Sequence, residues 1–259
     1  MKWMRFDHQG RSGFGLLAGE WIEVQSGDMF GQPTPTGERL ALAAIEWRAP
    51  CEPGQVFALW NNFRAAAEKN GWAPPAEPLY FMKPTSCLAS HGAPIPLPPP
   101  EVGRVAYEGE LAIVIGRPSR CVALADAPAH IFGYTCANDV TAIELLHRDT
   151  TFPQWTRAKG QPGFGPIGPV IETSLDLVTA RLRTLVAGRE RQNYALADMF
   201  FSPAELVSRL SHDLTLRPGD LILCGTSLGV LPMKPGSLVE VEIDGIGVLR
   251  NTYGPADGD

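Results

Sequence analysis

The chain has 259 residues, 44% of them hydrophobic and 19% charged, with 27 glycines and 24 prolines. That length holds one large domain, or a main domain with a small appendage, and the turn-rich mix excludes a helical bundle or a disordered chain. A net charge of −6 without any Lys/Arg-rich run argues against nucleic acid as a partner.

The first third reads as short strands. "MKWMRF", "GFGLLAG" and "EWIEVQSG" form a small meander, "DMFGQPTPTGE" is a loop, and "GQVFALW" is an apolar strand. "NNFRAAAEKNG" follows as a short helix, with Asn61 or Asn62 as N-cap and Gly71 at its C-terminal stop. Then come "APPAEP", "YFMKPTSCL" and "SHGAPIPLPPPEVG", whose proline clusters fit neither a helix nor a central strand. They read as a connector from a small N-terminal region to the main body, or as a wall beside the strand at residue 105.

In the main body, "VAYEGELAIVIG" is a strand, "ALADAPAHIFG" a short helix, "YTCANDVTA" a strand running into a turn, and "IELLHRD" helical. "GPIGPVIET" and "ARLRTLVAG" are extended. "SPAELVSRLSHDLTL" is the clearest helix, with Ser202 as N-cap, Pro203 in the first position and Glu205 closing a capping box. "GDLILCGTSLGV" and "GSLVEVEIDGIGVLRNTYG" end the chain as strands joined by glycine-rich turns. Strands and helices do not alternate, which speaks against a doubly wound parallel sheet and for a mixed, mostly antiparallel β body with some α.

Five scattered cysteines without a C-x-x-C pair (Cys51, Cys87, Cys121, Cys136, Cys224) fit a reducing compartment better than a disulfide framework or a thiolate zinc site. The N-terminal "MKWMRFDHQG" has no apolar signal region, and no apolar run approaches a membrane span. The expectation is a cytoplasmic protein without a membrane partner.

The unusual stretch is "YEGELAIVIG". Glu108 and Glu110 stand two apart on a strand, so both point to one face, and Ala112 and Val114 continue that face into the core. Two carboxylates so close and away from water demand a counter-charge. A divalent cation supplies it, and oxygen-only ligands favour a hard ion such as Mg²⁺, Mn²⁺ or Ca²⁺. "CANDVT" offers Asp139 as a third carboxylate. "WTRAKG" brings Lys159, a cation able to polarise a carbonyl beside the metal.

Taken in order, "YEGELAIVIG", "GYTCANDVT", "QWTRAKG", "FGPIGPVI" and "LCGTSLGV…PGSLVEVEIDGIGVLRN" resemble the fumarylacetoacetate hydrolase family over roughly two thirds of the chain, Phe81 to Gly254. The resemblance implies a β-roll of several sheets (residues 73–259), preceded by a small β-rich N-terminal region with a lid-like helix (residues 1–72), and a homodimer. It implies Mg²⁺ or Mn²⁺ held by Glu108, Glu110 and Asp139, with Lys159 as the catalytic lysine twenty residues after the Asp. The implied substrate is a small oxo or enol acid of aromatic-compound catabolism. Gly225 and Thr226 match a segment whose backbone N–H and hydroxyl meet substrate. Lys83 and Ser86 are further candidate substrate contacts near the expected pocket mouth, and Gln154, flanking Lys159, is another.

Two departures bear on the reaction. Hydrolytic members carry a His and a Glu one helical turn apart in a lid segment, where they activate water. The matching "NNFRAAAEKNG" has Glu68 but no histidine, and Arg64 stands one turn earlier. An arginine stays protonated and cannot be that base, although it can bind a substrate carboxylate. Glu68 and His91 are then the candidate acid–base residues, with His147 as another histidine to weigh. The second departure is Gly163, where the family often has a threonine. Both leave isomerisation or decarboxylation of a 2-hydroxy-dienoate or 2-oxo acid as the expected chemistry. C–C hydrolysis of a 2,4-dioxo acid is the alternative, and a member that only binds metal or ligand is the reading of another class.

Overall fold

The computed structural model describes residues 1–255. The N-terminal strands are β1 (Lys2–His8), β2 (Arg11–Ala18), β3 (Trp21–Ser26), β4 (Thr34–Ala41) and β5 (Glu46–Trp47). Next are β6 (Val56–Trp60), helix α1 (Arg64–Asn70), β7 (Leu79–Lys83), β8 (Leu88–Ala89), β9 (Val105–Ala106), β10 (Gly109–Ile115), β11 (Ile131–Asn138) and β12 (Thr141–Ala142). Then follow helices α2 (Ile143–Leu146) and α3 (Trp155–Lys159), strands β13 (Gly165–Glu172), β14 (Arg181–Val186) and β15 (Arg189–Ala195), and helix α4 (Pro203–Asp213). The last strands are β16 (Leu221–Leu223), β17 (Leu238–Ile243) and β18 (Gly247–Thr252).

One large sheet runs in the order β4-β3-β2-β1-β13-β11-β10-β16-β6-β7, with β5 and β8 paired at its flanks. A four-stranded sheet, β15-β14-β17-β18, and the small β12-β9 pair complete the body. Pairing is antiparallel except for β16 with β6 and β13 with β8. This is the mixed β architecture of several sheets expected from the sequence.

Every side chain of β10 is buried. Leu111, Ile113 and Ile115 share a core with Leu182, Val241 and the apolar face of α4. Ala112 and Val114, on the opposite face, pack with Ile167, Ile171 and Leu223. A strand covered on both faces reads as a continuous apolar run, and "LAIVI" is one. Helix α4 has the expected capping box: Glu205 N–H donates to Ser202 Oγ, and the Glu205 carboxylate accepts from Ser202 N–H.

Several elements differ from the sequence reading. Residues 34–38, read as part of a loop, belong to β4. It lies at the edge of the sheet, where Pro35 costs no ladder hydrogen bond. Phe63, not Asn61 or Asn62, flanks the start of α1. Asn62 is buried instead, donating to the Cys224 carbonyl at 2.9 Å and accepting from Phe201 N–H at 2.9 Å. "ALADAPAHIFG" gives only a 3₁₀ turn, Ala127–His130, before β11. In the proline run, Ile95 bridges to Tyr253 and Pro96 packs on Gly163. Gly163 sits at φ +76°, so its lack of a side chain has a backbone reason.

Candidate metal centre and cavity

Glu108 lies in the break between β9 and β10, and Glu110 one step inside β10. Gly109 is paired with Asn138, so the end of β11 delivers Asp139 beside both. Asp139 N–H donates to the Glu108 carbonyl at 2.9 Å, and Glu108 N–H to Asn138 Oδ1 at 2.9 Å. Each of the three carboxylates offers an oxygen, and these oxygens lie within 4.8 Å of one another.

Gly109, between the two glutamates, is fixed on all sides. Its N–H donates to Gln192 Oε1 at 3.0 Å, and its carbonyl accepts from Tyr194 OH at 2.6 Å and from Thr226 Oγ1 at 2.9 Å. A Cβ there would run into Thr184 Oγ1. Gly109→Ala is therefore expected to cost about 1–3 kcal/mol by overpacking. Thermal melts with and without Mg²⁺ should show a lower midpoint and a smaller metal-induced rise.

Two lysines face the carboxylates. Lys159 Nζ donates to Asp139 Oδ2 at 2.6 Å and Glu108 Oε2 at 3.0 Å. Lys83 Nζ donates to Asp139 Oδ1 at 2.6 Å and to the Lys159 and Phe164 carbonyls at 2.6 and 3.1 Å. Burial alone would lower the Lys159 pKa, but the charges of Asp139, Glu108 and Glu110 outweigh it and raise it well above the ordinary lysine value. Burial likewise would raise Asp139, and Lys159 and Lys83 hold it below the usual carboxylate range. Glu110 has no lysine of its own. Burial first, then the charges of Asp139 and Glu108, push its carboxyl well up.

Glu110 Oε2 accepts from Gly225 N–H at 2.8 Å, while Oε1 is buried without a partner. Among the described residues, an unpartnered, fully buried carboxylate oxygen beside two other carboxylates fits a cation-binding site. Three carboxylates against two ammonium groups leave one negative charge, and a divalent ion would turn that into one positive charge. The all-oxygen donor set suits a hard ion.

A cavity of about 890 Å³ opens from Glu108, Lys159 and Thr226. Strands β6 and β7, helix α1, the α2–α3 segment and the Thr226–Val230 loop line it. Among the described residues no helix is long and apolar enough to cross a membrane.

The family profile "Fumarylacetoacetate (FAA) hydrolase C-terminal" matches residues 55–253. The chain belongs to the fumarylacetoacetate hydrolase family. Residues 1–50 match a second profile, "Rv2993c-like, N-terminal". Protein Rv2993c of Mycobacterium tuberculosis is 41% identical over 225 residues, 86% of this chain and 83% of that protein. The 4-hydroxyphenylacetate degradation bifunctional isomerase/decarboxylase of Salmonella dublin is 38% identical over 201 residues, 76% of this chain but only 46% of that protein. The crystal structure of 2-hydroxyhepta-2,4-diene-1,7-dioate isomerase from Mycobacterium marinum has a TM-score of 0.89 at 35% identity, with 100% of each chain covered.

In this fumarylacetoacetate hydrolase family chain the four residues read first, Glu108, Glu110, Asp139 and Lys159, come together. The rest of the expected site is distributed differently. Lys83 does not stand at a pocket mouth: it is buried behind Asp139, with its three donors spent. Gly225 N–H serves Glu110. The Thr226 hydroxyl donates to Gly109 and accepts from Gln192, although Thr226 does line the cavity. The Arg64 guanidinium is tied to the carbonyls of Asp198 and Met199 and lies over Phe200. Glu68 is exposed, and neither it nor Arg64 lines the cavity; α1 turns Ala66, Lys69 and Asn70 that way instead. Ser86 and Gln154 also lie outside the lining, Gln154 donating to the Phe152 carbonyl. His91 accepts from Arg250 N–H and packs on Trp47, away from the carboxylates.

His147, the further histidine weighed from the sequence, lines the cavity at the end of α2. Two groups at the site had no role in the sequence reading. Ser227 lines the cavity too, and its buried Oγ has no partner. Gln192 reaches across from β15 to brace both Gly109 and Thr226. The "CGTSLG" turn brings both Thr226 and its unread neighbour Ser227 to the lining.

Proposed function

We propose that this protein is a divalent-metal-dependent enzyme, working with Mg²⁺ or Mn²⁺, that isomerises or decarboxylates a small 2-oxo or 2-hydroxy-dienoic acid. The carrying observation is the cavity face of α1. It offers Ala66, Lys69 and Asn70, with neither a histidine nor a carboxylate to activate water. A proton shift within the substrate needs no such water. The relatives named as isomerase and isomerase/decarboxylase support the reading. The reading includes a cytoplasmic homodimer, as the family implies.

A divalent ion held by Glu108, Glu110 and Asp139 would supply Lewis-acid polarisation of the substrate oxygens. The chain's own groups do the rest. Lys159, kept protonated by the three carboxylates, is a donor and a fixed positive charge at the cavity floor, not a base. His147 is the cavity side chain suited to take a proton from carbon and return it elsewhere. Phe81 and Trp155, stacked with ring centres 4.8 Å apart, line the cavity together with Lys159.

His147 also favours a second reading, C–C hydrolysis, because an imidazole there can activate water. Product analysis decides. Metal-stripped protein reloaded with Mg²⁺ or Mn²⁺ is given oxaloacetate, 2,4-dioxo acids and 2-hydroxy-dienoates, and products are identified by NMR. Tautomer exchange or CO₂ release is the expected result. Cleavage into two acids would replace it with the hydrolase reading. His147→Gln is expected to lower kcat about a hundredfold, with the metal-induced thermal shift unchanged.

A further inference from the structure

The β6–β7 pair forms a wall that runs from the metal centre to the cavity's outer end. Ala58 lies opposite Phe81, and Trp60 opposite Leu79. Opposed residues, and residues two apart on one strand, share a face. Lys83, Phe81 and Leu79 are therefore in line, with Trp60 beside Leu79. The inner end is fixed by Lys83 on Asp139 at 2.6 Å. Phe81 comes next, its ring centre 5.4 Å from the Lys159 ammonium. Leu79 is about 13 Å from Lys83 at the rise of an extended strand. A five-carbon oxo acid spans only roughly 5 Å by ordinary bond lengths. It would leave the outer half of the cavity empty.

That outer half is aromatic. The Trp60 and Trp72 rings lie 5.0 Å apart at 46°. They remain 37% and 39% exposed, though both line the cavity. Two indoles left partly in water at a pocket's outer end are a large apolar surface without a partner. The polar groups beside them do not make a second carboxylate site. Asn70 Nδ2 is committed to the Ala66 carbonyl at 2.7 Å, and Lys69 is solvent-exposed, where an ion pair adds little.

We infer that the substrate carries an aromatic ring at the end remote from its 2-oxo-acid group, and that Trp60 and Trp72 select it. This rests on the oxo-acid reading above and adds the identity of the distal group.

The test measures binding, by calorimetry, to the Mg²⁺-loaded full chain. The probes are 4-phenyl-2,4-dioxobutanoate, its methyl counterpart 2,4-dioxopentanoate, and a linear 2,4-dioxo dicarboxylate as long as the phenyl compound. The phenyl compound is expected to bind about tenfold or more tighter than the methyl one. Trp60→Ala and Trp72→Ala should each reduce that preference and leave the methyl compound's affinity unchanged, and Trp60→Phe should keep most of it. Equal binding of phenyl and methyl probes, or tighter binding of the dicarboxylate, overturns the inference and leaves the oxo-acid reading standing. So does a change of sedimentation coefficient in the Trp variants, which would show the indoles covered by a second copy. Failure of all three probes to bind overturns both.

Discussion

Glu110→Gln is expected to make the metal-free protein more stable at pH 8 and to abolish the thermal shift that Mg²⁺ or Mn²⁺ gives the wild-type chain. The cause is the orphaned oxygen. Glu110 Oε1 is buried with no partner, and its neighbours are two more carboxylates. A glutamine can keep the bond from Gly225 N–H with its carbonyl oxygen and turn its amide group toward Glu108 and Asp139 as a donor. Removing an uncompensated buried charge is worth about 1–3 kcal/mol, or several degrees of midpoint for a chain of this size. The same change removes one of three anionic ligands, so the stabilisation by bound metal, about 2.7 kcal/mol at a hundredfold excess over Kd, should vanish.

The pH dependence has a definite sign. The folded-state pKa of Glu110 lies above its ordinary 4.5, so the folded chain holds this proton more tightly than the unfolded one. Metal-free stability therefore falls as pH rises from about that value through the raised folded pKa. Asp139 acts oppositely, and only at lower pH: its pKa is depressed below 3.8, and its contribution is lost as pH falls. Melts of the metal-free protein from pH 5 to 8 should decline for wild type more than for Glu110→Gln. A variant that melts lower than wild type across that range, without metal, would contradict an uncompensated Glu110.

The carboxylate cluster was legible because its signal is local. A strand has a period of two, so Glu108 and Glu110 must share a side, and the apolar run after them says that the side is buried. The α1 face was not legible for the complementary reason. "RAAAEKN" has three alanines and no apolar stripe, so nothing in it says which side docks. Arg64 and Glu68 looked like a functional pair, while packing turned Ala66, Lys69 and Asn70 to the cavity. His147 ends a helix of a single turn, too short for any period to fix its direction. Gln192 braces Gly109 from 83 residues away in the sequence, a contact that only sheet packing creates. Lys83 was expected as a substrate contact near the pocket mouth. Its strand pairs along its whole length with β6, and that register sends the side chain inward.

Lys83→Met follows from that inward position. Lys83 is one of two cations on Asp139, and its ammonium also accepts no help from solvent: the side chain is 0% exposed. Methionine matches the stem but leaves Asp139 with Lys159 alone and removes a donor from the Lys159 and Phe164 carbonyls. Breaking a buried pair by deleting one partner costs roughly 3–5 kcal/mol. The melting midpoint of the metal-free protein should fall on the order of 10 °C. The metal-induced rise should move the other way. With Lys83 gone, the three carboxylates face one cation instead of two, so a divalent ion meets less opposing charge and recovers more stability on binding. A larger thermal shift with Mg²⁺ in Lys83→Met than in wild type is the expected signature of Lys83 as the metal's electrostatic competitor. An equal shift, with the same loss of midpoint, would make Lys83 a packing residue that happens to touch Asp139.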